Sequence, residues 1–323
     1  MTALAPPSAV SVLVAHGAMM RGAADGSVGS ADAPALGTEG LYVADTRLLS
    51  RWILEIDDST FWDVGSVREP GRRHTALSPA ARRNQTHDLV AFRTQELDAG
   101  GLTETLAIRN LGREPITARL VLRAGTDFAD QFTVRTDGRT FDLSGAASSL
   151  AVLDDGSLTF GYSHTFGGGT FEAGLQLTAS ITPSISPEPV AGRFVGAVLS
   201  WDLPLAPGET QTLTIAALSA GESCPPAPAA GARGCAGNTA RGDAMDPLAR
   251  QSLKDLDSLL MPCPVEPSLT IPAAGLPWFL TLFGRDSLLT SMLTRAERPQ
   301  LLGDVLRALA ATQGTVHDPL RVE

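Results

Sequence analysis

Arg285 and Asp286 stand side by side inside a water-averse stretch, WFLTLFGRDSLLT, residues 278 to 290. A guanidinium donates hydrogen bonds and a carboxylate accepts them. The vicinal hydroxyls of a sugar do both, so such a pair suits a carbohydrate ligand. Trp278 and Phe279 would add the flat apolar face on which sugar C–H groups stack. The same residues also admit a structural reading. Asp286 would be the N-cap of a helix, its carboxylate accepting from backbone N–H groups at the positive helix end. Arg285 would be its partner or a surface residue, and Trp278 and Phe279 would be core. The two readings are compatible, because a capping carboxylate can offer its second oxygen to a ligand. A neighbouring arginine favours the ionised carboxylate, which suits accepting hydrogen bonds and not donating a proton. Asp286 is therefore assigned to holding substrate, and no catalytic residue is assigned.

Other chemistries find less support. The five histidines, His16, His74, His87, His164 and His317, are scattered without metal-like pairs. Cys224, Cys235 and Cys263 lie in or near a Pro/Ala/Gly stretch, lack metal spacing and are odd in number. A disulfide framework is not expected and a reducing compartment is. No nucleophile elbow, phosphate loop or dinucleotide fingerprint occurs, and no cofactor or metal is implied. Gly167-Gly168-Gly169 lies between strand-like runs and reads as a hairpin turn. The 323 residues carry a net charge of -10 with a single lysine, Lys254, which argues against nucleic acid as a partner. No apolar run approaches the ~18 residues of a membrane span. Val10 to Ala15 reads as a first strand and not a signal peptide, since no positive charge precedes it and Pro6 and Pro7 do. A cytoplasmic protein is expected.

The elements that must position the pair come in two kinds. Along residues 1–220 the apolar period is two. Ile116, Ala118, Leu120 and Leu122 face one way in ITARLVLR, Trp52, Leu54 and Ile56 in WILEI, and Leu213, Ile215 and Ala217 in TQTLTIAAL. Turn signals such as Asp57-Asp58 and Asp154 to Gly156 separate these runs, and a large antiparallel β-sandwich is predicted. Asp45-Thr46-Arg47 reads as part of an ion pair between strands. Residues 221–244 are a Pro/Ala/Gly linker. From 245 to 323 the period turns helical. Asp246 and Pro247 form an N-cap and first helical position, followed by Ala249, Leu253, Leu256 and Leu260. A second helix is predicted from about Asp286, with Leu288, Leu289, Met292 and Leu293 on its apolar face. A third runs from about Pro299, with Leu302, Val305, Leu306 and Leu309.

The segment PAAGLPWFLTLFGRDSLLTSML, residues 272 to 293, resembles the opening of the catalytic domain of bacterial glycogen-debranching-type amylo-alpha-1,6-glucosidases. The likeness extends to ARQSLKDLDSLL and LRALAATQGTVHDPLRVE. In the β region it extends to GLYVADTRLLSRWIL, LTETLAIRNLG and TDFADQFTVR. This resemblance implies an N-terminal β-sandwich followed by an (α/α)6 barrel, with Arg285 and Asp286 gripping a terminal glucose near Trp278. It implies an alpha-glucan substrate and hydrolysis of alpha-1,6 branch linkages by a general acid and base, roughly 6.5–9.5 Å apart in an inverting enzyme. Residues 245–323 suffice for only the first helices of such a barrel. None of Glu297, Asp304, Asp318 or Glu323 matches the family's catalytic carboxylates. A truncated chain, inactive alone, is the expectation, with a second polypeptide as one way of completing the barrel. The alternatives are a non-catalytic carbohydrate-binding or scaffold module, and a related barrel acting on trehalose or mannosides.

Overall fold

In the computed structural model, residues 10–31, 37–43, 46–80, 88–135, 142–166, 169–189, 191–220, 246–276 and 279–314 are described. The period-two runs become long antiparallel strands. In chain order these are β5 (Arg51–Ile56), β6 (Ser59–Glu69), β7 (Arg72–Pro79), β8 (Leu89–Asp98), β9 (Gly101–Asn110), β10 (Ile116–Thr126), β11 (Ala146–Val152), β12 (Leu158–Phe166), β13 (Gly169–Ala179), β14 (Ser184–Pro187), β15 (Val195–Leu205) and β16 (Thr210–Ala220). They form one twelve-stranded sheet in the order β11-β12-β13-β16-β9-β8-β7-β6-β5-β10-β15-β14. The sheet folds over itself, so that β15 approaches β11 and β16 across the interior. Between the two halves lies an apolar core that includes Trp52, Leu106, Leu120, Leu122, Phe160, Leu175, Leu199 and Ile215. Ala118, Leu120 and Leu122 of β10 are buried while Thr117 and Arg119 are exposed, as a half-buried strand requires.

Local turns follow from their residues. Asp57 and Asp58 join β5 to β6 with φ of 47° and 57°. Two left-handed residues make the type I′ hairpin turn, which Asp tolerates because its short side chain bonds locally. Here the Asp57 carboxylate accepts from the Arg119 backbone N–H at 2.9 Å. β12 and β13 pair as far as Phe166 and Gly169, in keeping with the hairpin reading of the glycine run; Gly167 and Gly168 lie outside the described residues.

A second sheet departs from simple alternation. β1 (Ser11–Ala15), β2 (Ala18–Gly22), β3 (Gly40–Val43) and β4 (Thr46–Leu49) pair in sequence order. Leu13, Ala15, Ala18, Met20, Leu41 and Val43 point into the sandwich core. Their neighbours Val14, Met19 and Tyr42 belong to a second core. Both faces are covered, so these strands read as unbroken apolar runs.

The second core joins this sheet to the C-terminal elements. Beyond the short α1 (Gln131–Val134), these are α2 (Pro247–Leu259), β17 (Leu260–Pro262), β18 (Thr270–Pro272), α3 (Gly284–Leu293) and α4 (Leu301–Ala311). Met261, Cys263, Leu269, Ile271, Leu280, Val305 and Ala308 pack against Val14, Met19, Tyr42 and Ala129. Asp246 caps α2 as expected, accepting from the Leu248 backbone N–H at 2.7 Å. Three expectations are corrected here. Asp286 is not a cap: α3 begins at Gly284, and Phe283 holds the cap position without a side-chain bond. The apolar face of α3 is not its inward face. Ser287 and Ser291 are buried, while Leu289, Met292 and Leu293 are 59%, 55% and 82% exposed and only Leu288 of the expected four packs against the second core. The serines let the helix sit close to β18, and the Ser287 hydroxyl donates to the Pro272 carbonyl at 3.1 Å. In α4 the buried residues are Leu301, Val305 and Ala308; of the expected stripe Val305 is fully buried and Leu309 packs against the second core, whereas Leu306 is exposed. Two short strands also appear between α2 and α3, where the sequence suggested only a helix ended by Pro262.

Candidate functional site

Residues 273–276 and 279–283 run side by side ahead of α3. The Ala274 N–H donates to Thr281 O at 3.2 Å and the Gly275 N–H to Phe279 O at 3.1 Å. This turns Phe279 and Phe283 towards each other, ring centroids 5.3 Å apart and edge to face. Both rings remain partly exposed, at 42% and 38%. Arg285 and Asp286 follow in the first turn of α3, and both side chains are exposed. They form no ion pair with each other, since successive helix residues point about 100° apart. Among the described residues neither has a hydrogen-bond or ion-pair partner. A free guanidinium, a free carboxylate and two apolar ring edges therefore share one surface at a helix start. Trp278 lies outside the described residues.

Of the acidic residues considered with the pair, Asp304 takes a structural role. Asp304 accepts from Arg307 at 2.6 Å and from the Thr270 backbone N–H at 3.2 Å. Asp318 and Glu323 lie outside the described residues. A shallow hollow of about 440 Å³ opens between the ends of β10 and β15, lined by Pro115, Ile116, Pro204, Leu205, Glu209 and Gln211. Two of its polar side chains are engaged: Glu209 accepts from the Ala206 N–H and Gln211 donates to Pro204 O, both at 2.7 Å. Among the described residues there is no His/Cys/Asp/Glu group able to hold a metal ion, and no helix long and apolar enough to cross a membrane.

A cluster of charged and polar side chains is buried in the sandwich. Glu104 of β9 is fully buried and accepts from the Trp52 indole at 2.8 Å, Arg93 at 2.8 Å and the Gln95 amide at 2.7 Å. Gln95 in turn accepts from Arg73, which also donates to Ser11 Oγ at 2.8 Å and Ala23 O at 3.3 Å. Arg93 and Gln95 reach the carbonyls of Asp25 and Gly26. Segment 23–28 thus seals the cluster from above. Burial, then the charge of Arg93, push Arg73 down to about 10, which still leaves it charged near neutrality. The row Arg73, Gln95, Glu104 runs straight across β7, β8 and β9 as directly opposed residues. Closed to solvent, it fastens segment 23–28 to the sheet. A second buried pair answers to Asp45-Thr46-Arg47. Asp45 lies outside the described residues, but Arg47 binds both carboxylate oxygens of Asp127, at 3.0 and 2.5 Å. Burial lowers the basicity of Arg47, and the bonds to Asp127 more than offset it, so the guanidinium is raised overall.

By fold, then, the chain is an antiparallel β-sandwich module with a small helical unit seated on its accessory sheet. Residues 13–216 match the family described as the N-terminal domain of (some) glycogen debranching enzymes, and the chain belongs to that family. No curated protein matches it. Among solved structures, an Escherichia coli K12 protein assigned as an aldose 1-epimerase aligns with a TM-score of 0.42 at 11% identity, over 66% of this chain and 99% of its own. A protein from the human microbiome assigned as a kojibiose phosphorylase aligns with a TM-score of 0.40 at 10% identity, over 65% of this chain and 29% of its own. A family 92 glycosyl hydrolase aligns with a TM-score of 0.28 at 10% identity, over 62% and 26%. Similarity of this degree carries no functional argument, and the chain spans under a third of the last two proteins.

Proposed function

We propose that this chain is the N-terminal part of an alpha-glucan-acting glycoside hydrolase of the debranching type. The observation that carries the reading is the family match over residues 13–216. In this reading α2, α3 and α4 open an (α/α)6 barrel, and the start of α3 forms one wall of its glucose site. Arg285 donates to, and Asp286 accepts from, adjacent hydroxyls of a terminal glucose. Trp278 and Phe279 supply the apolar surface beneath the ring. Both charged side chains are exposed and have no partner among the described residues, which supports a role in binding a ligand. Hydrolysis of an alpha-1,6 linkage needs an acid and a base, and we assign neither role to a described residue. The exposed leucines of α3 are the face on which further barrel helices, from the same or a second polypeptide, would pack.

Calorimetric titration with maltotriose and panose tests this. Binding that is lost in both Arg285→Ala and Asp286→Ala is the expected result. Equal affinity in wild type and both variants would remove the basis for these roles. A scaffold function for the sandwich is a second reading. It is favoured by the shared core through which Val14, Met19 and Tyr42 hold the C-terminal elements. In that case the chain binds no oligosaccharide but retains the helical unit.

A further inference from the structure

β6 is an unusual strand. Its first residues pair with β5 only at Ser59 and Thr60. Beyond Phe61 it has β7 on one side and no described strand on the other. Residues 62–69 are all exposed, and Trp62, Val64 and Val67 are 62%, 68% and 63% exposed. Asp63 and Arg68 have no hydrogen-bond or ion-pair partner among the described residues. An open edge of main-chain donors and acceptors carrying large apolar side chains is a template for another strand.

We propose that this edge pairs with β6 of a second copy of the chain, antiparallel about a two-fold axis through Ser66. The pleat and the charges select the register. Asp63 opposes Leu77 and Arg68 opposes Arg73 on β7, which puts both on the inner face; Trp62 and Val67, opposite Ser78 and His74, lie on the outer face. Directly opposed residues of an antiparallel pair share a face. A bulge between Asp63 and Gly65 takes Val64 out of the count. With Ser66 on the axis, Gly65 opposes Val67 of the second copy, Asp63 opposes Arg68, and Trp62 opposes Glu69. Every pair then shares a face, and the two unpartnered charges each meet their opposite, twice by symmetry. Moving the axis by two residues either way keeps the faces but separates Asp63 from Arg68. Bulges and inward charges also serve to blunt an edge. A strand blunted in that way brings like charges together when it meets itself, whereas this one is self-complementary.

A contact of one strand edge buries less than the ~1,000 Å² of a stable interface, so the dimer is weak and depends on concentration. Sedimentation equilibrium of the whole 323-residue chain, from roughly 10 μM to 1 mM around the range of weak association, should reveal it. High salt should loosen it. Asp63→Arg and Arg68→Asp should each weaken association by about tenfold or more, since two symmetry-related pairs turn from attraction to repulsion. The double variant Asp63→Arg/Arg68→Asp should recover wild-type association. Both sites are exposed, and circular dichroism of each variant should match wild type. A wild type that stays monomeric throughout, a dimer indifferent to the single changes, or a double variant no tighter than the singles would each overturn the proposal. Association through the exposed leucines of α3 gives the second of these outcomes.

Discussion

Glu104→Gln should be among the most damaging conservative substitutions in this protein. The side chain keeps its size and loses its charge. In the native cluster one carboxylate serves three donors, on Trp52, Arg93 and Gln95, at 2.7–2.8 Å. All three donors meet one oxygen, Oε2, while Oε1 is buried without a hydrogen-bond partner. A glutamine oxygen in the Oε2 place can still accept but carries no charge, and its NH₂ in the Oε1 place finds no acceptor. Arg93, 1% exposed, would be left without a counter-charge, and Arg73 lies close enough to feel it. Removing one member of a buried ion pair typically costs ~3–5 kcal/mol. A buried donor left unsatisfied adds ~1–3 kcal/mol. Relaxation and entering water offset part of this, and a net loss of about 4 kcal/mol is expected, a large share of the ~5–15 kcal/mol that holds a typical domain together. Urea unfolding followed by tryptophan fluorescence reads it, with Trp52 reporting on the site itself. At a slope of ~2–3 kcal/mol per molar the midpoint should fall by ~1.5–2 M. Arg93→Met combined with Glu104→Met should cost less than the sum of the single changes, because the pair is removed together. A Glu104→Gln midpoint within ~0.3 M of wild type would refute the reasoning, since it would mean that the cluster is hydrated or open.

Gly26→Ala should loosen the same cluster from above: Gly26 has φ of 93°, and a Cβ there would meet Gln95 Oε1 and Arg73 Nη2. A loss of ~1–3 kcal/mol is expected in the same assay. Tyr42 should govern an alkaline transition. Burial raises its phenol above the ordinary 10.0. A raised group contributes stability that is complete below its unfolded pKa and is lost as pH climbs through the folded one. Thermal stability should therefore fall above pH 10, together with the appearance of tyrosinate absorbance, and Tyr42→Phe should flatten that limb. Ile271→Ala, at a fully buried position of the second core, should cost ~2–5 kcal/mol. Protease resistance of the helical unit should fall with it.

The long strands were legible because each has one wet face. β10 and β16 show the alternation directly, and Asp57-Asp58 announced the turn it makes. The accessory sheet was harder to read, since covering both faces of β1 to β4 erases the alternation, and sequence alone gives no sign of what covers the second face. The buried cluster left a trace that went unused. Leu102, Glu104, Leu106 and Ile108 share one phase of β9, as Ala91, Arg93, Gln95 and Leu97 do on β8. A charged residue in phase with buried apolar ones demands a partner, but only the strand register shows that the partners meet. For α3 the apolar residues suggested an inward face where packing uses Ser287 and Ser291. Small residues win there because the helix lies close to β18, a distance that no periodicity encodes. Of the residues proposed to hold a sugar, Arg285 and Asp286 stand together on one helix turn as their adjacency required, although the cap belongs to Phe283.

The accessory sheet also sets a clock. β1 to β4 are complete once Leu49 has been made, and their outer face carries Val14, Met19 and Tyr42. Ala129 and Val134 join that core early, but the rest of the side chains that cover it begin at Met261, more than 200 residues later. At the ~5–20 residues per second of translation, the newborn sheet waits about 10–40 s with much of that oily surface uncovered. During that interval it is open to chaperones and to the wrong neighbours, and slowing synthesis between the two segments should raise the fraction of chains that aggregate.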